Sequence, residues 1–520
     1  MVVRESLDRA EDDPPVRELL IIGTGFAGLA MAIQAREAGV DDLVMLERAG
    51  EVGGTWRDND YPGCACDVQS HLYSLSFAQK RDWTRTFAGH AEIQAYILDC
   101  YARYGLRPKV RLDADIVRAQ WDAGEAVWTV TARDGRRWRG RALVSAIGAL
   151  SNPAIPKLPG LEDFAGKQFH SATWDHDYAL EGRRVAVVGT GASAIQFVPQ
   201  IAPKVARLHL FQRTAPWVLP KADRPFGRIE RAAYAHVPGL QAARRARIYW
   251  GLESRVLGFA YSQALMKATQ NQGLRHIRRG IRDPQLRAKV TPNFTLGCKR
   301  VLLSNDYYPA LDRANVEVVD AGVEAVTATG IVDARGVERE VDTIIFGTGF
   351  RVQSMVPEGM IFGRGGVDLA HAWSERMTAY KGTTVPGFPN LFVLAGPNTG
   401  LGHSSMVFML ESQVRYVVDA LVKMRDRKWA SVEVRSDRLR AFVAGLDDKA
   451  ARAVWSSGCR SWYLDRSGNN TALWPDFTFR FRQTTASFDE QAYAVQTLAE
   501  LAELAATASA GDDAPTPAVA

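Results

Sequence analysis

Cysteine is scarce in this chain: five residues in 520, at Cys64, Cys66, Cys100, Cys298 and Cys459, an odd number. That count argues against a disulfide-built framework. The C-x-C spacing of Cys64 and Cys66 also lacks the C-x-x-C pair that a thiol–disulfide reductase needs. No apolar run approaches the roughly 18 residues of a membrane span. Met1 to Pro15 is acidic and polar, with no apolar signal core, so the expectation is a soluble cytoplasmic protein without a membrane span. Charge is nearly balanced, 64 Lys+Arg against 58 Asp+Glu, a net +6 that leans weakly toward anionic ligands and gives no case for nucleic acid. Short-period repeats are absent too. The Pro-containing start and the Ala/Thr/Pro/Asp tail from Ala506 to Ala520 lack periodicity, so disorder is expected at both ends.

What is present is a mixed pattern of short apolar runs, glycine loops and helical stretches. Glu18–Ile22 reads as a strand, Leu29–Ala38 as a helix stopped by Gly39, and Leu43–Glu47 as the next strand, which together make one strand–loop–helix–strand unit. Strand-like segments follow at Ile116–Trp121, Ala126–Ala132 and Arg141–Gly148, and the Pro-rich Ser151–Gly160 reads as an interdomain crossing. A second unit starts at Arg184–Val188 and continues to Leu208–Phe211. An arginine-rich helical stretch follows, then strands at Val316–Val319 and Asp342–Phe346, and a return strand at Asn390–Leu394. The expected fold is α/β, with two Rossmann-like dinucleotide-binding domains, one inserted in the other. Residues 1–152 and 346–520 would form the discontinuous outer domain. Residues 153–345 would form the inner one, with a helical insertion at about 221–290.

Each unit carries a glycine loop between strand and helix. In the first, Gly23, Gly25 and Gly28 fit G-x-G-x-x-G: a tight turn, a bare backbone under a pyrophosphate, and close helix–strand packing. Glu47 ends the next strand, where a carboxylate accepts hydrogen bonds from ribose hydroxyls. In the second loop, Gly189, Gly191 and Ser193 lead to Ala194 at the third position. The following strand ends in Arg213 and Thr214 rather than an acid, which suits the 2′-phosphate of NADPH over NADH.

Two longer spaced patterns are also met. Phe164, Gly166, His170, Trp174 and Asp175 match F-x-G-x-x-x-H-x-x-x-W-[P/D] between the two loops. Gly53, Gly54, Trp56, Tyr61, Pro62, Gly63 and Asp67 match [A/G]-G-x-W-x-x-x-x-[F/Y]-P-[G/M]-x-x-x-D. On these patterns the chain resembles the FAD- and NADPH-dependent Baeyer–Villiger monooxygenases of the flavin-containing monooxygenase superfamily. The resemblance implies FAD and NADPH as cofactors, no metal, and O2 and a small ketone as partners. The product would be an ester or lactone, formed through a flavin C4a-peroxide. It implies catalytic roles for Arg300 and Asp67, FAD contacts at Thr55, Trp56, Asp67, Tyr73 and Ile116, and NADP contacts at Lys299 and Arg300. His170 and its pattern would organise a hinge rather than act as a base. A permanently charged guanidinium suits the task of stabilising developing oxyanions, and Asp67 would orient it. Leu401, His403, Met406 and Trp462 are candidate pocket residues, with His403 equally readable as a helix start and Trp462 more readily as core. An N- or S-oxygenating flavin monooxygenase stays open as the near alternative and a non-catalytic flavoprotein as the distant one. An oligomer is left open.

Overall fold

The computed structural model describes residues 14–459 and 461–512. The expectation of disorder for residues 1–13 and 513–520 lies outside the described residues.

The chain enters through β1 (Val16–Ile22), turns into α1 (Phe26–Glu37) and pairs back as β2 (Leu43–Leu46), parallel to β1 with Leu19 opposite Leu43. Leu19 to Ile22 are all buried because both faces of this strand are covered, as a continuous apolar run requires. Beyond α2 (Thr55–Asp58), α3 (His90–Arg103) and β3 (Val110–Arg111), an antiparallel excursion forms β4 (Ile116–Asp122), β5 (Val127–Ala132) and β6 (Arg137–Ser145). β6 closes against the other side of β1, so the first glycine loop sits at the shared C-terminal ends of β1, β2 and β6.

A second sheet repeats the plan. Its strands are β7 (Lys167–His170), β8 (Arg184–Val188), followed by α4 (Ala194–Ile201), and β9 (Arg207–Phe211). The stretch that follows is helical: β10 (Val218–Leu219), α5 (Arg228–His236), α6 (Leu240–Glu253), α7 (Met266–Gly280), α8 (Pro284–Val290) and β11 (Leu302–Leu303), the two short strands pairing with each other. After α9 (Tyr307–Leu311), β12 (Val316–Val319) joins the sheet. β13 (Val323–Val326), β14 (Gly330–Asp333) and β15 (Glu338–Glu340) make a small antiparallel flap, and β16 (Thr343–Phe346) completes the parallel order β12-β9-β8-β16-β7.

The chain then crosses back. β17 (Ile361–Phe362) pairs with β4 and, after α10 (Leu369–Ala372), β18 (Leu391–Val393) pairs with β6. α11 (Met406–Asp426) packs on α1, whose alanines let two helices and a sheet approach closely. β19 (Trp429–Val434), α12 (Ser436–Ala450), α13 (Thr478–Thr484), β20 (Tyr493–Thr497), which pairs with β19, and α14 (Leu498–Asp512) finish the fold. α14 corrects the expectation of a disordered tail from Ala506: the helix runs through Asp512, carried by the alanine- and leucine-rich Leu498–Ala510.

Cysteine usage holds one feature that the count alone did not show. Cys298 and Cys459 form a disulfide with Cα atoms 6.2 Å apart, across a separation of 161 residues, while Cys64, Cys66 and Cys100 are buried thiols. The fold does not depend on a framework of bridges, yet one clamps the segment of Lys299 and Arg300 to the C-terminal region. Closing so long a loop restricts the unfolded chain, so Cys459→Ser is expected to lower stability by roughly 2–4 kcal/mol. A thermal scan of flavin-loaded protein should show the midpoint falling by about 2–4 °C; an unchanged midpoint would remove the bridge from the stability account.

Candidate active site

Gly23 turns the chain with φ +104°, and a Cβ there would stand 2.5 Å from the Ala146 carbonyl oxygen at the end of β6. A side chain at Gly28 would run into the Gly23 carbonyl, so α1 can begin tight beneath the loop. Gly54 packs directly on Gly25, with room for no more than hydrogen: a Cβ on Gly54 would lie 2.9 Å from the Gly25 Cα. The two glycines leave bare backbone at the helix start, which is what an anionic dinucleotide requires. Around it, Trp56 Nε1 donates to Tyr73 Oη at 3.1 Å, and Phe26 meets Tyr73 edge-on at 5.3 Å. Thr55 opens α2, and Ile116 opens β4 with its side chain buried.

Glu47 is buried and already engaged. Its carboxylate accepts from Thr24 N at 3.3 Å, from Thr24 Oγ1 and from Ala49 N at 3.0 Å, and it pairs with Arg57 at 2.8 Å. It therefore ties the tip of β2 to the glycine loop. Arg57, its counter-ion, was not among the residues singled out from sequence.

Residues 61–67 leave this unit and dock on the other. Tyr61 Oη donates to Gln196 Oε1 at 2.9 Å, Gln196 Nε2 donates to the Ala65 carbonyl at 2.9 Å, and a Cβ on Gly63 would meet the Gln196 carbonyl oxygen at 2.8 Å. The Tyr-Pro-Gly part of the pattern is thus a seat on α4. It delivers Asp67 to Arg300, whose Nη2 forms an ion pair with the Asp67 carboxylate while Nη1 donates to the Leu401 carbonyl at 3.1 Å. Burial would raise the Asp67 carboxyl, but the Arg300 charge and hydrogen bond outweigh it and hold the group below its ordinary value. The Asp67 charge in turn keeps Arg300 protonated well past any working pH. Both side chains remain about a third exposed (33% and 29%), so open space faces the pair. Two residues that sequence reasoning missed stand nearby. Tyr463 is a buried phenol pushed up to about 12, and Lys221 adds a second, more distant positive charge to Asp67.

The second glycine loop copies the first. Gly189 turns with φ +107°, and a Cβ there would fall 2.5 Å from the Gly347 carbonyl oxygen, as Gly23 does over Ala146. Glycine at 347 explains the alanine at 194: a Cβ on Gly347 would already come within 3.2 Å of the Ala194 methyl. Gly191 is exposed, and Ser193 immediately precedes α4. Arg213 lies just past β9, beside Thr214, and near Lys299. Burial, then the Arg213 charge, lowers the Lys299 ammonium, which sits 4.9 Å over the Phe294 ring. Among the described residues neither cation has an acidic partner, so two unneutralised positive charges lie near one another here, an arrangement with the charge to hold an anion.

The pattern from Phe164 to Asp175 builds the edge of the second sheet. A Cβ on Gly166 would clash with the Asp342 carbonyl and the Phe164 ring, and β7 pairs with β16 so that His170 lies beside Phe346. His170 is buried, its Nδ1 accepts from Ala172 N at 3.1 Å, and burial lowers its basicity. It packs edge-on at 5.7 Å against Phe350, in the return crossing. That crossing pairs with the outgoing one: Ala154 N donates to the Gly349 carbonyl at 2.9 Å and Thr348 Oγ1 to the Ala154 carbonyl at 2.6 Å. Trp174 packs on Phe169 and Phe197, and Asp175 pairs with Lys167 at 2.5 Å.

Of the pocket candidates, Leu401 is brought to Arg300 through its carbonyl. Met406 opens α11 and packs with Trp474 and Phe481. His403 is three residues short of that helix, whose cap is Ser405 Oγ accepting from Val407 N at 3.3 Å, which removes its reading as a helix start. Trp462 is 44% exposed and lies edge-on to Tyr463 at 4.5 Å, so the reading as a core tryptophan is corrected: its neighbour takes the buried place. Two open surface grooves, of about 410 and 460 Å³, are lined by none of the site residues.

The flavin-binding monooxygenase-like family model matches residues 16–358. The chain is 53% identical over 482 residues to a Baeyer-Villiger monooxygenase of Pseudomonas aeruginosa, covering 92% of each, and 46% identical over 503 residues to a Baeyer-Villiger monooxygenase of Streptomyces coelicolor, covering 95% of this chain and 96% of that one. Among solved structures, an oxidized steroid monooxygenase bound to NADP matches with a TM-score of 0.81 at 29% identity, over 93% of this chain and 99% of the other.

Proposed function

The chain belongs to the flavin-binding monooxygenase-like family, and on that premise we propose that it is an FAD- and NADPH-dependent Baeyer–Villiger monooxygenase acting on a small ketone. When bound, FAD would take a hydride from NADPH and activate O2, one oxygen atom entering beside the ketone carbonyl to give an ester or lactone and the other leaving as water. The remaining work falls to the chain. The observation that carries the reading is the Arg300–Asp67 ion pair, assembled from both glycine-loop units and open to space on one side.

In this reading residues 1–152 and 346–520 hold FAD, through the loop at Gly23, Gly25 and Gly28 and the flanking Glu47, Thr55, Trp56, Asp67, Tyr73 and Ile116. Residues 153–345 hold NADPH, through Gly189, Gly191, Ser193, Arg213, Thr214 and Lys299, with Arg300 at the shared boundary. Arg300 presents a fixed positive charge to the oxygen that becomes negative as the carbonyl is attacked, and Asp67 sets its direction. The paired crossings with His170 behind Phe350 form the hinge. Leu401, His403, Met406 and Trp462 belong to the pocket region in this reading, Leu401 through the carbonyl that fixes Arg300. A cytoplasmic location is part of the same proposal; among the described residues no helix is long and apolar enough to cross a membrane.

The test mixes purified yellow protein with NADPH, O2 and a panel of cyclic and linear ketones, with product analysis by mass spectrometry. Ester or lactone should appear in step with NADPH consumption. NADPH oxidation that yields only hydrogen peroxide across the panel would overturn the assignment.

A further inference from the structure

The Arg300 guanidinium has two anchors, the Asp67 carboxylate and the Leu401 carbonyl. The second anchor is held in an unusual way. Among the described residues, the backbone N–H groups of Leu401, Gly402, His403 and Ser404 donate no hydrogen bond, and the next secure points are Gly400 N to the Ala472 carbonyl at 2.8 Å and the Ser405 cap. The direction of the Leu401 carbonyl is therefore set by side chains. One is Leu401 itself, 3% exposed among Met409, Leu446, Trp474 and Phe481. The other is His403, whose side chain is 5% exposed and whose Nε2 is buried without a hydrogen-bond partner.

His403 Nε2 stands 3.7 Å from Glu253 Oε2 at the end of α6. Glu253 is itself 1% exposed, and its carboxylate accepts from Thr478 N and, at 2.8 Å, from Thr478 Oγ1. Among the described residues no lysine or arginine pairs with it. Among the described residues the imidazole is thus the sole basic side chain within ion-pair reach of this buried carboxylate, and the two side chains, both buried, fix each other's placement by packing. The wall between them and the ion pair is apolar. Phe259 lies 6.4 Å from the His403 ring, and a Cβ on Gly297, in the Arg300 segment, would touch Phe259, Val454 and Met266 at 3.0–3.1 Å.

We propose that His403, held by Glu253, is a positioning residue for Arg300: it fixes the backbone turn whose Leu401 carbonyl aims the guanidinium, and so ties the helical insertion to the reacting centre. This rests on Arg300 being the catalytic arginine. A displacement of well under 1 Å at the guanidinium suffices to weaken a preorganised charge.

The experiment uses the FAD-loaded full chain and reads three quantities per bound flavin: the rate of flavin reduction by NADPH, kcat for ester formation, and the ratio of ester to hydrogen peroxide. His403→Phe keeps a ring of similar size without the nitrogens. It is expected to leave flavin reduction unchanged, lower kcat on the order of tenfold to a hundredfold and shift product from ester to peroxide. His403→Gln should recover part of the loss, and Glu253→Gln should reproduce it. In an Arg300→Lys background, His403→Phe should add little, because its effect passes through the arginine. Wild-type kcat and product ratio in His403→Phe would overturn the proposal, and so would a full additive loss in the Arg300→Lys background. Failure of the underlying assignment has a different signature, an Arg300→Lys protein with unaltered oxygenation.

Discussion

An Arg300→Ala protein is expected to remain yellow and to be reduced by chemical reductant, while its rate of ester formation falls by about 10²–10³-fold, the usual cost of losing one preorganised donor to a developing oxyanion. The side chain is shared between the two units: Nη2 pairs with Asp67 and Nη1 donates to the Leu401 carbonyl. Truncation removes the positive charge and leaves the half-buried Asp67 carboxylate with only the more distant Lys221 as a positive charge beside it. Without the arginine, burial dominates and the Asp67 carboxyl should titrate at higher pH than in the wild type. Lysine at 300 should not rescue fully, since an ammonium cannot serve both anchors with the planar fork that guanidinium offers. Product formation measured by mass spectrometry against flavin content gives the comparison. A variant that oxygenates ketones at the wild-type rate would place the chemistry elsewhere.

The second large effect is a separation of the two nucleotide sites. Gly189→Val is expected to abolish reduction of bound FAD by NADPH while leaving FAD in place, whereas Gly23→Val should yield protein without bound flavin. Both glycines sit near φ +105° (104° and 107°), a conformation closed to a β-branched residue. In both, a Cβ would fall 2.5 Å from a carbonyl oxygen of the neighbouring strand end, Ala146 for Gly23 and Gly347 for Gly189. Neither backbone can yield without moving the whole loop, so affinity for the cognate dinucleotide should drop by at least a hundredfold. Dithionite distinguishes the cases: it bleaches flavin in the Gly189 variant and finds none in the Gly23 variant. NADPH reduction at normal rate in Gly189→Val would refute the assignment of that loop.

What the sequence could disclose was local. The strand–glycine–helix units were legible because apolar runs, glycines and helix formers lie within about twenty residues of one another, and β1, β2, β4, β5, β6, β8, β9, β12, β16 and β18 fall on runs recognisable in the chain, whereas β7 and the polar β15 do not. Asp67 lies in a spaced pattern and Arg300 came from the resemblance alone; the structure brings the two into one ion pair. What escaped depends on distant pieces meeting. Cys298 and Cys459 are 161 residues apart. Gln196, which seats Tyr61 and Ala65, and Glu253, which faces His403, carry no local mark of their partners. Trp462 and Tyr463 are adjacent aromatics with opposite fates, and nothing in their order says which turns inward. The helix through Asp512 was missed because an alanine-rich tail reads as featureless, although alanine is the best helix former.

The return of the chain to its first sheet also sets a timetable. Every strand of the second sheet has been synthesised once Phe346 leaves the ribosome, and the parallel order β12-β9-β8-β16-β7 can then close. The first sheet cannot close at that moment, because β17 and β18 and the helix that covers α1 are still to come. Until Val393 and α11 emerge, the C-terminal end of β6 at Leu143–Ser145 keeps an unpaired edge and α1 an uncovered apolar face, the two features that invite association between nascent chains. The second sheet is therefore completed early and the first, although begun earlier, late; with FAD held on the first as proposed, a shortage of flavin would be felt only by molecules that are already nearly complete.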